Sequence, residues 1–245
     1  MEIQRILDKY DRLMDQKEFT EAGRHLNYWI GEAKTEKDDR SVFTLLNELV
    51  GFYRMQGAKE VTIKTIEKLL AKTESMGLND TVSGGTAYVN AATGYKSADM
   101  PEKALSLYRK ALTVYERDLK PDDTRLCALY NNMAITLSSL KEYDEAYSYY
   151  NKALELLNNI PDSENEKAIT YLNLADLSEL RLEAELAEEA ILKYVQKAKE
   201  LLDMSFNKKS SGFIFTAEKC IPDFKYHGYF LMASELEKML AQIKH

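Results

Sequence analysis

The apolar residues of this chain recur with the spacing of amphipathic helices. Between residues 146 and 157, apolar side chains fall three, four and seven positions apart, which places them on one face of an α-helix. No stretch shows the sustained period-two alternation that is typical of a half-buried strand. Short polar turns, such as residues 141–142, separate the helical stretches. The pattern therefore predicts an all-α protein built from antiparallel helix pairs.

These helix pairs repeat along the chain with a period of about 42 residues. Tyr88 is matched by Tyr130 and, with a slip of one position, by Tyr171, and clusters of helix-breaking residues recur at the same interval. A fixed period of this length is typical of a solenoid, in which each repeat buries its apolar face against its neighbours. We expect a single domain, 1–245, with repeats at about 1–38, 39–80, 81–122, 123–163, 164–208 and 209–245.

The fourth repeat carries the residues of a known motif. Its second helix reads Tyr143, Ala146, Tyr150 and Ala153 at helical spacing, after the aromatic and small residues of its first helix. This order resembles the tetratricopeptide repeat, in the long 42-residue form found in kinesin light chains. The resemblance covers nearly the whole chain, most clearly in repeats three and four. It implies a right-handed superhelical α-solenoid of about six antiparallel helix pairs.

Several local expectations follow from the same pattern. The stretch 83–85, Ser-Gly-Gly, reads as a flexible loop between repeats, and Pro222 falls where a turn between the last two helices is expected. The last helix, from Tyr226 to Lys244, has an apolar side for the fifth repeat and several charged residues, so we expect it to cap the array with a polar outer face.

Composition favours a cytoplasmic protein with a buried core. Hydrophobic residues make up 45% of the chain, charged residues make up 30%, and the net charge is −7. No run of apolar residues is long enough for a membrane span, and the first ten residues do not resemble a signal peptide. Cys127 and Cys220 are far apart and outside any CxxC pair, so we interpret both as buried free thiols.

The residue pattern offers no catalytic centre. His25, His227 and His245 lack a cysteine or carboxylate at the spacing of a metal site, and the glycine-rich stretch lacks the Lys-Ser/Thr continuation of a phosphate loop. We therefore expect no enzymatic activity, no metal and no cofactor. The 33 basic and 40 acidic residues are interspersed, so we also expect neither nucleic acid nor membrane as a partner.

The candidate binding residues are asparagines at matching places in successive repeats. The resemblance implies that the first helix of each repeat lines a concave face, with an asparagine two residues after the aromatic pointing into it. Asn90, Asn132 and Asn173 hold that place. An amide both donates and accepts hydrogen bonds, so a column of amides suits the main chain of an extended peptide. The predicted peptide-binding residues are Asn47, Arg54, Asn90, Lys96, Asn131, Asn132 and Asn173.

Two classes of function remain open at this stage. Asparagine is a poor helix former, so three in register favour a peptide-binding column over a merely tolerated polar face. The leading hypothesis is a non-catalytic scaffold that binds a protein or an extended peptide in the concave groove. The alternatives are a structural self-assembly module, or a regulatory protein that senses a peptide, as some bacterial sensors with such repeats do. The sequence leaves open the partner, the oligomeric state and whether the groove is filled by the last helix.

Overall fold

The computed structural model describes residues 1–243, and within that range it contains twelve α-helices and no strand. The helices are α1 (Ile3–Asp15), α2 (Phe19–Thr35), α3 (Asp39–Met55), α4 (Lys59–Ser75), α5 (Val82–Ser97), α6 (Pro101–Asp118), α7 (Thr124–Ser139), α8 (Tyr143–Leu157), α9 (Glu164–Arg181), α10 (Ala184–Asn207), α11 (Phe213–Tyr226) and α12 (Phe230–Ile243). Two helices fall within each of the six expected repeats. The prediction of an all-α fold of six helix pairs is confirmed.

Local sequence explains where these helices begin and end. The Asp38 side chain accepts a hydrogen bond from the Ser41 backbone N–H, so it caps α3, and this bond lowers the pKa of Asp38. At the end of α7, Lys141 adopts a left-handed backbone with φ of 65°, and the next N–H, of Glu142, bonds to the Leu137 carbonyl at 2.9 Å. This is the Schellman arrangement, which ends one helix and lets the chain turn back at once.

The contacts divide the chain into two compact halves, Met1–Leu119 and Lys120–His245. The N-terminal half contains α1 to α6, and the C-terminal half contains α7 to α12. In both halves alanines allow helices to approach closely: Ala104 and Ala146 are 0% exposed, beside the fully buried Tyr108 and Tyr150 respectively. Bulky tyrosines therefore fill the space that the small residues leave between helices.

The last helix completes the core of the C-terminal half. Ala233, Leu236 and Leu240 of α12 are buried in one cluster with side chains of α9, α10 and α11. Glu235, Glu237 and Lys238 are exposed, as expected for a polar outer face, but Phe230 and Leu231 at the start of the helix are also exposed, at 66% and 83%. None of the helices in the described part is long and apolar enough to cross a lipid bilayer.

Three local expectations are wrong. The stretch 83–85 is not a loop, because it lies in the first turns of α5, where a Cβ on Gly84 would fall 1.9 Å from the Leu78 carbonyl oxygen. Glycine is needed there for close backbone contact rather than for flexibility. Pro222 lies inside α11, and the last helix begins at Phe230 rather than at Tyr226. The expected end of that helix at Lys244, and His245, lie outside the described residues.

Candidate functional site

A cleft of about 500 Å³ lies in the C-terminal half, and it is lined mainly by the first helices of the fourth and fifth repeats. One face of α7 contributes side chains from Thr124 to Ile135, and α9 contributes side chains from Glu166 to Asn173. The turn between α8 and α9 forms another wall, and Lys219 of α11 completes the lining. We call this the amide cleft, because Asn131, Asn132 and Asn173 all line it. No residue of α12 up to Ile243 lines it.

Helical periodicity explains why these three asparagines line one cleft. Asn131 and Asn132 lie one turn after Cys127 and Ala128 and one turn before Ile135, on the face of α7 that lines the cleft. Asn173 lies one turn after Ile169 on the corresponding face of α9. The structure therefore brings together three of the seven predicted binding residues. They are half-buried rather than exposed.

Two amide atoms in the cleft lack hydrogen-bond partners. The Asn131 Nδ2 donates to the Thr170 Oγ1 at 3.0 Å and to the Cys127 carbonyl at 3.2 Å, but its Oδ1 is buried and unpaired. The Nδ2 of Asn173 is also buried and unpaired. A buried polar atom without a partner costs about 1–3 kcal/mol, so such atoms are uncommon in folded proteins. Two residues that line the cleft thus hold one unused acceptor and one unused donor, both buried.

The asparagines of the N-terminal half are arranged differently. The Nδ2 of Asn90 donates to the Oδ1 of Asn47 at 2.9 Å, and the Nδ2 of Asn47 donates to the Phe43 carbonyl at 3.0 Å. The hydrogen bond between these two amides connects α5 to α3. Arg54, on α3, is exposed. Burial raises the pKa of the Tyr108 hydroxyl, and the positive charge of Arg54 opposes this increase. Lys96 lies in the last turn of α5.

A group of titratable side chains joins α9 to α11 beyond the cleft. His227 Nε2 donates to the Asp176 Oδ1 at 2.7 Å, and the His227 side chain is only 4% exposed. Burial raises the pKa of Asp223, and the nearby Asp176 carboxylate raises it further, while Lys219 and His227 lower it. Asp176 follows Asn173 by one helical turn, so this acidic group continues the face that carries the amides.

Other candidate chemistry is accounted for by packing. Both cysteines are free and buried, as predicted, and burial raises the pKa of Cys127 to about 11 and that of Cys220 to about 12. His25 places its Nε2 at 2.9 Å from the Ile6 carbonyl oxygen, where it holds α2 to α1. Among residues 1–243, no group of three or more His, Cys, Asp or Glu is arranged to hold a metal ion.

The repeat architecture can now be compared with known proteins. Residues 124–201, which span α7 to α10 apart from the last turns of α10, match the family model described as Tetratricopeptide repeat. This segment of the chain therefore carries tetratricopeptide repeats. A search of curated protein sequences gives no match.

Several solved structures have folds similar to that of this chain. The apo form of RapI is 14% identical with a TM-score of 0.67, and the alignment covers 100% of this chain and 98% of that chain. The nearly identical TPR-like repeats of a putative kinesin light chain from Podosopora anserina are 16% identical with a TM-score of 0.53, covering 81% and 93%. A Rap protein complexed with Competence and Sporulation Factor is 14% identical with a TM-score of 0.57, covering 96% and 73%. At these identities the similarity establishes the fold alone.

Sequence reasoning missed the part of the site outside the asparagine column. Lys219 lies in the sixth repeat, where the repeat pattern is weak, so its helical phase was not evident from the sequence. Ile160 and Pro161 belong to the turn between repeats and were interpreted only as a helix-breaking cluster. The pairing of His227 with Asp176 joins residues 51 positions apart. A helical projection of α11 with the phase of α9 would have identified Lys219 and Asp223.

Proposed function

We propose that this protein is a non-catalytic repeat protein that binds an extended segment of a partner protein in the amide cleft. The observation that carries the proposal is that two residues lining one cleft each hold a buried, unpaired amide atom, the Oδ1 of Asn131 and the Nδ2 of Asn173. A peptide main chain offers an N–H and a C=O, which are the groups that these two atoms need. A partner helix or sheet has already used most of its N–H and C=O groups, so an extended segment is the better fit.

The fold of the similar structures supports the same class of function. One of them is a Rap protein complexed with Competence and Sporulation Factor. Tetratricopeptide repeats stack into extended surfaces that suit binding of proteins and peptides. The amides of the N-terminal half are a poorer candidate, because Asn47 and Asn90 already pair with each other. The proposal therefore narrows the seven predicted peptide-binding residues to Asn131, Asn132 and Asn173.

The test uses a phage-displayed library of linear random peptides and two double variants. Wild type, Asn131→Ala/Asn173→Ala and Asn47→Ala/Asn90→Ala are immobilised and panned in parallel. The second variant is a matched control, because it removes two asparagines from the N-terminal half together, which leaves neither partner of their mutual bond unpaired. Synthetic versions of the enriched peptides are then titrated by calorimetry.

We expect wild type and the control variant to bind the enriched peptides equally. The Asn131→Ala/Asn173→Ala variant should bind them about 30-fold more weakly or worse, because each lost hydrogen bond leaves a desolvated peptide group unpaired, at about 1–3 kcal/mol, with some non-additivity. Failure to enrich any peptide, or equal affinity for this variant with its helical circular dichroism intact, would refute the proposal.

Self-assembly, the alternative function, would use a different surface. Phe230 and Leu231 are adjacent on α12 and exposed. If they join two copies of the chain, light scattering coupled to gel filtration should give a dimer that Phe230→Ser/Leu231→Ser converts to a monomer. A monomeric wild type at high concentration would count against this alternative without affecting the peptide proposal.

A further inference from the structure

The walls of the amide cleft are apolar, although its amides are polar. Ile135 of α7 and Ile169 of α9 line it beside the asparagines, and Ile160 and Pro161 line it from the turn before α9. Ala128 is exposed and leaves space on the α7 side. A mainly apolar pocket with a few convergent polar groups is the usual composition of a site that recognises a particular chemical group.

The charges of the lining lie on its exposed part. Asp162, Glu166 and Lys219 are solvent-exposed, and Asp162 is already paired with Lys208 at 3.1 Å. The half-buried walls offer no ionised group to neutralise a charged side chain, and an unpaired charge is strongly disfavoured away from water. The polar atoms that the cleft leaves unused are amide atoms, whose hydrogen-bonding needs are those of a peptide group.

We propose that the amide cleft selects its partner by one large apolar side chain, Leu, Ile, Met or Phe, whose own main-chain amide is bound by Asn131 and Asn173. This inference rests on the proposed function, since it names the residue class that the bound segment must present. In this arrangement the amides fix the main chain regardless of sequence. The aliphatic walls then supply the selectivity, because burying a large apolar side chain is favourable and scales with the area removed from water.

Ala128 is the position at which this selectivity can be changed without damage to the core. Because Ala128 is exposed on α7, Ala128→Leu places bulk in the cleft and keeps a strong helix former. Ala71, an exposed alanine on α4 in the N-terminal half, provides the matched control Ala71→Leu. Circular dichroism and urea unfolding of both variants should match wild type before binding is compared.

The experiment pans the same random-peptide library against wild type, Ala128→Leu and Ala71→Leu. Peptides enriched on wild type and on Ala71→Leu should share one position occupied by a large apolar residue, and replacing that residue by Ala in a synthetic peptide should weaken binding about tenfold or more. Ala128→Leu should bind those peptides at least about tenfold more weakly, and should enrich peptides with Gly, Ala or Ser at the shared position.

The outcomes separate this inference from the proposed function. Enriched peptides that depend on Asn131 and Asn173 but share no apolar position would overturn the selectivity and leave the function intact. Equal binding by Ala128→Leu and wild type would also overturn it. Enriched peptides that ignore the asparagines, or no enriched peptide at all, would overturn both. If Ala128→Leu loses helicity, Ile135→Ala serves as the second variant, which should relax selection at the shared position in favour of bulkier side chains.

Discussion

Replacing Asn173 by alanine should make the free protein more stable, although Asn173 is proposed to be essential for binding. Its Nδ2 is buried without a partner, a state that costs about 1–3 kcal/mol and that the substitution removes. Alanine also improves helix propensity inside α9, by up to about 0.7 kcal/mol. The truncated side chain gives up some van der Waals contacts, which offsets part of this gain. We expect a net increase of about 1–2 kcal/mol in the free energy of unfolding.

Two further asparagines make the comparison decisive. Asn90→Ala breaks the 2.9 Å bond to Asn47, worth about 0.5–1.5 kcal/mol, so the helix-propensity gain should leave stability unchanged or slightly lower. The Asn132 side chain forms no hydrogen bond with another described residue and has no unpaired buried atom, so Asn132→Ala should show only the propensity gain. The three variants therefore share one chemical change in three hydrogen-bonding environments.

Urea unfolding followed by far-ultraviolet circular dichroism measures how the free energy of unfolding of each variant differs from that of wild type. Thermal unfolding provides a second measurement, in which the melting temperature shifts by about 2–4 °C per kcal/mol. The expected order of stability is Asn173→Ala above Asn132→Ala above Asn90→Ala. If Asn173→Ala proves less stable than wild type, or no different from Asn90→Ala, then the amide of Asn173 has a partner in solution. The argument from its unpaired donor would then fail.

Three further predictions test other parts of the structure. Asp223→Asn should raise the melting temperature at neutral pH, because the raised pKa of Asp223 means that the fold disfavours its charged form. The gain in melting temperature should shrink as pH falls toward the ordinary aspartate pKa of 3.8. A gain that stays constant with pH would contradict the electrostatic cause. Ala146→Leu should lower the free energy of unfolding, measured in urea, by about 1–3 kcal/mol, because Ala146 is 0% exposed between close-packed helices. An unchanged free energy of unfolding would mean that α8 can shift to accept the larger side chain. Cys127 and Cys220 should react with a thiol reagent only at the rate of local opening, so fast labelling of the native protein would show that either thiol is accessible.

The sequence predicted the helices well because their signals are local and repeated. The 42-residue period and the stripe of apolar residues each recur several times, so errors in one repeat are corrected by the next. The mistakes fall at a glycine and a proline, whose residue types suggest a loop or a turn although both lie inside helices. Gly84 looks like loop sequence, but it lies in α5, and glycine is needed there because the Leu78 carbonyl approaches it too closely for any side chain. Pro222 was expected to mark a turn, yet α11 continues through it.

The binding residues were predicted only in part, for a similar reason. Residue type and register identify Asn90, Asn132 and Asn173 as equivalent. Their hydrogen bonds differ because of residues outside the register: Asn47 stands one position early in its repeat and so meets Asn90, whereas no such amide satisfies Asn173. One displaced asparagine, Asn47, thus decides whether the amide in register is hydrogen-bonded to another amide or left unpaired. This difference cannot be predicted from spacing alone.

This difference also bears on why an unfavourable amide persists inside a helix. A protein under selection for stability alone gains by replacing Asn173, since alanine improves the helix and removes a buried unpaired donor. The hydrogen-bonded pair of Asn47 and Asn90 stabilises the free protein, because it joins two repeats. In the free C-terminal half, Asn131 joins α7 to α9 through its bond to Thr170, but no hydrogen bond between described residues explains the buried Nδ2 of Asn173 in this way. The unpaired amide atoms of Asn131 and Asn173 are complementary to the N–H and C=O of a peptide main chain. Binding a peptide then recovers hydrogen-bond free energy that folding alone does not provide.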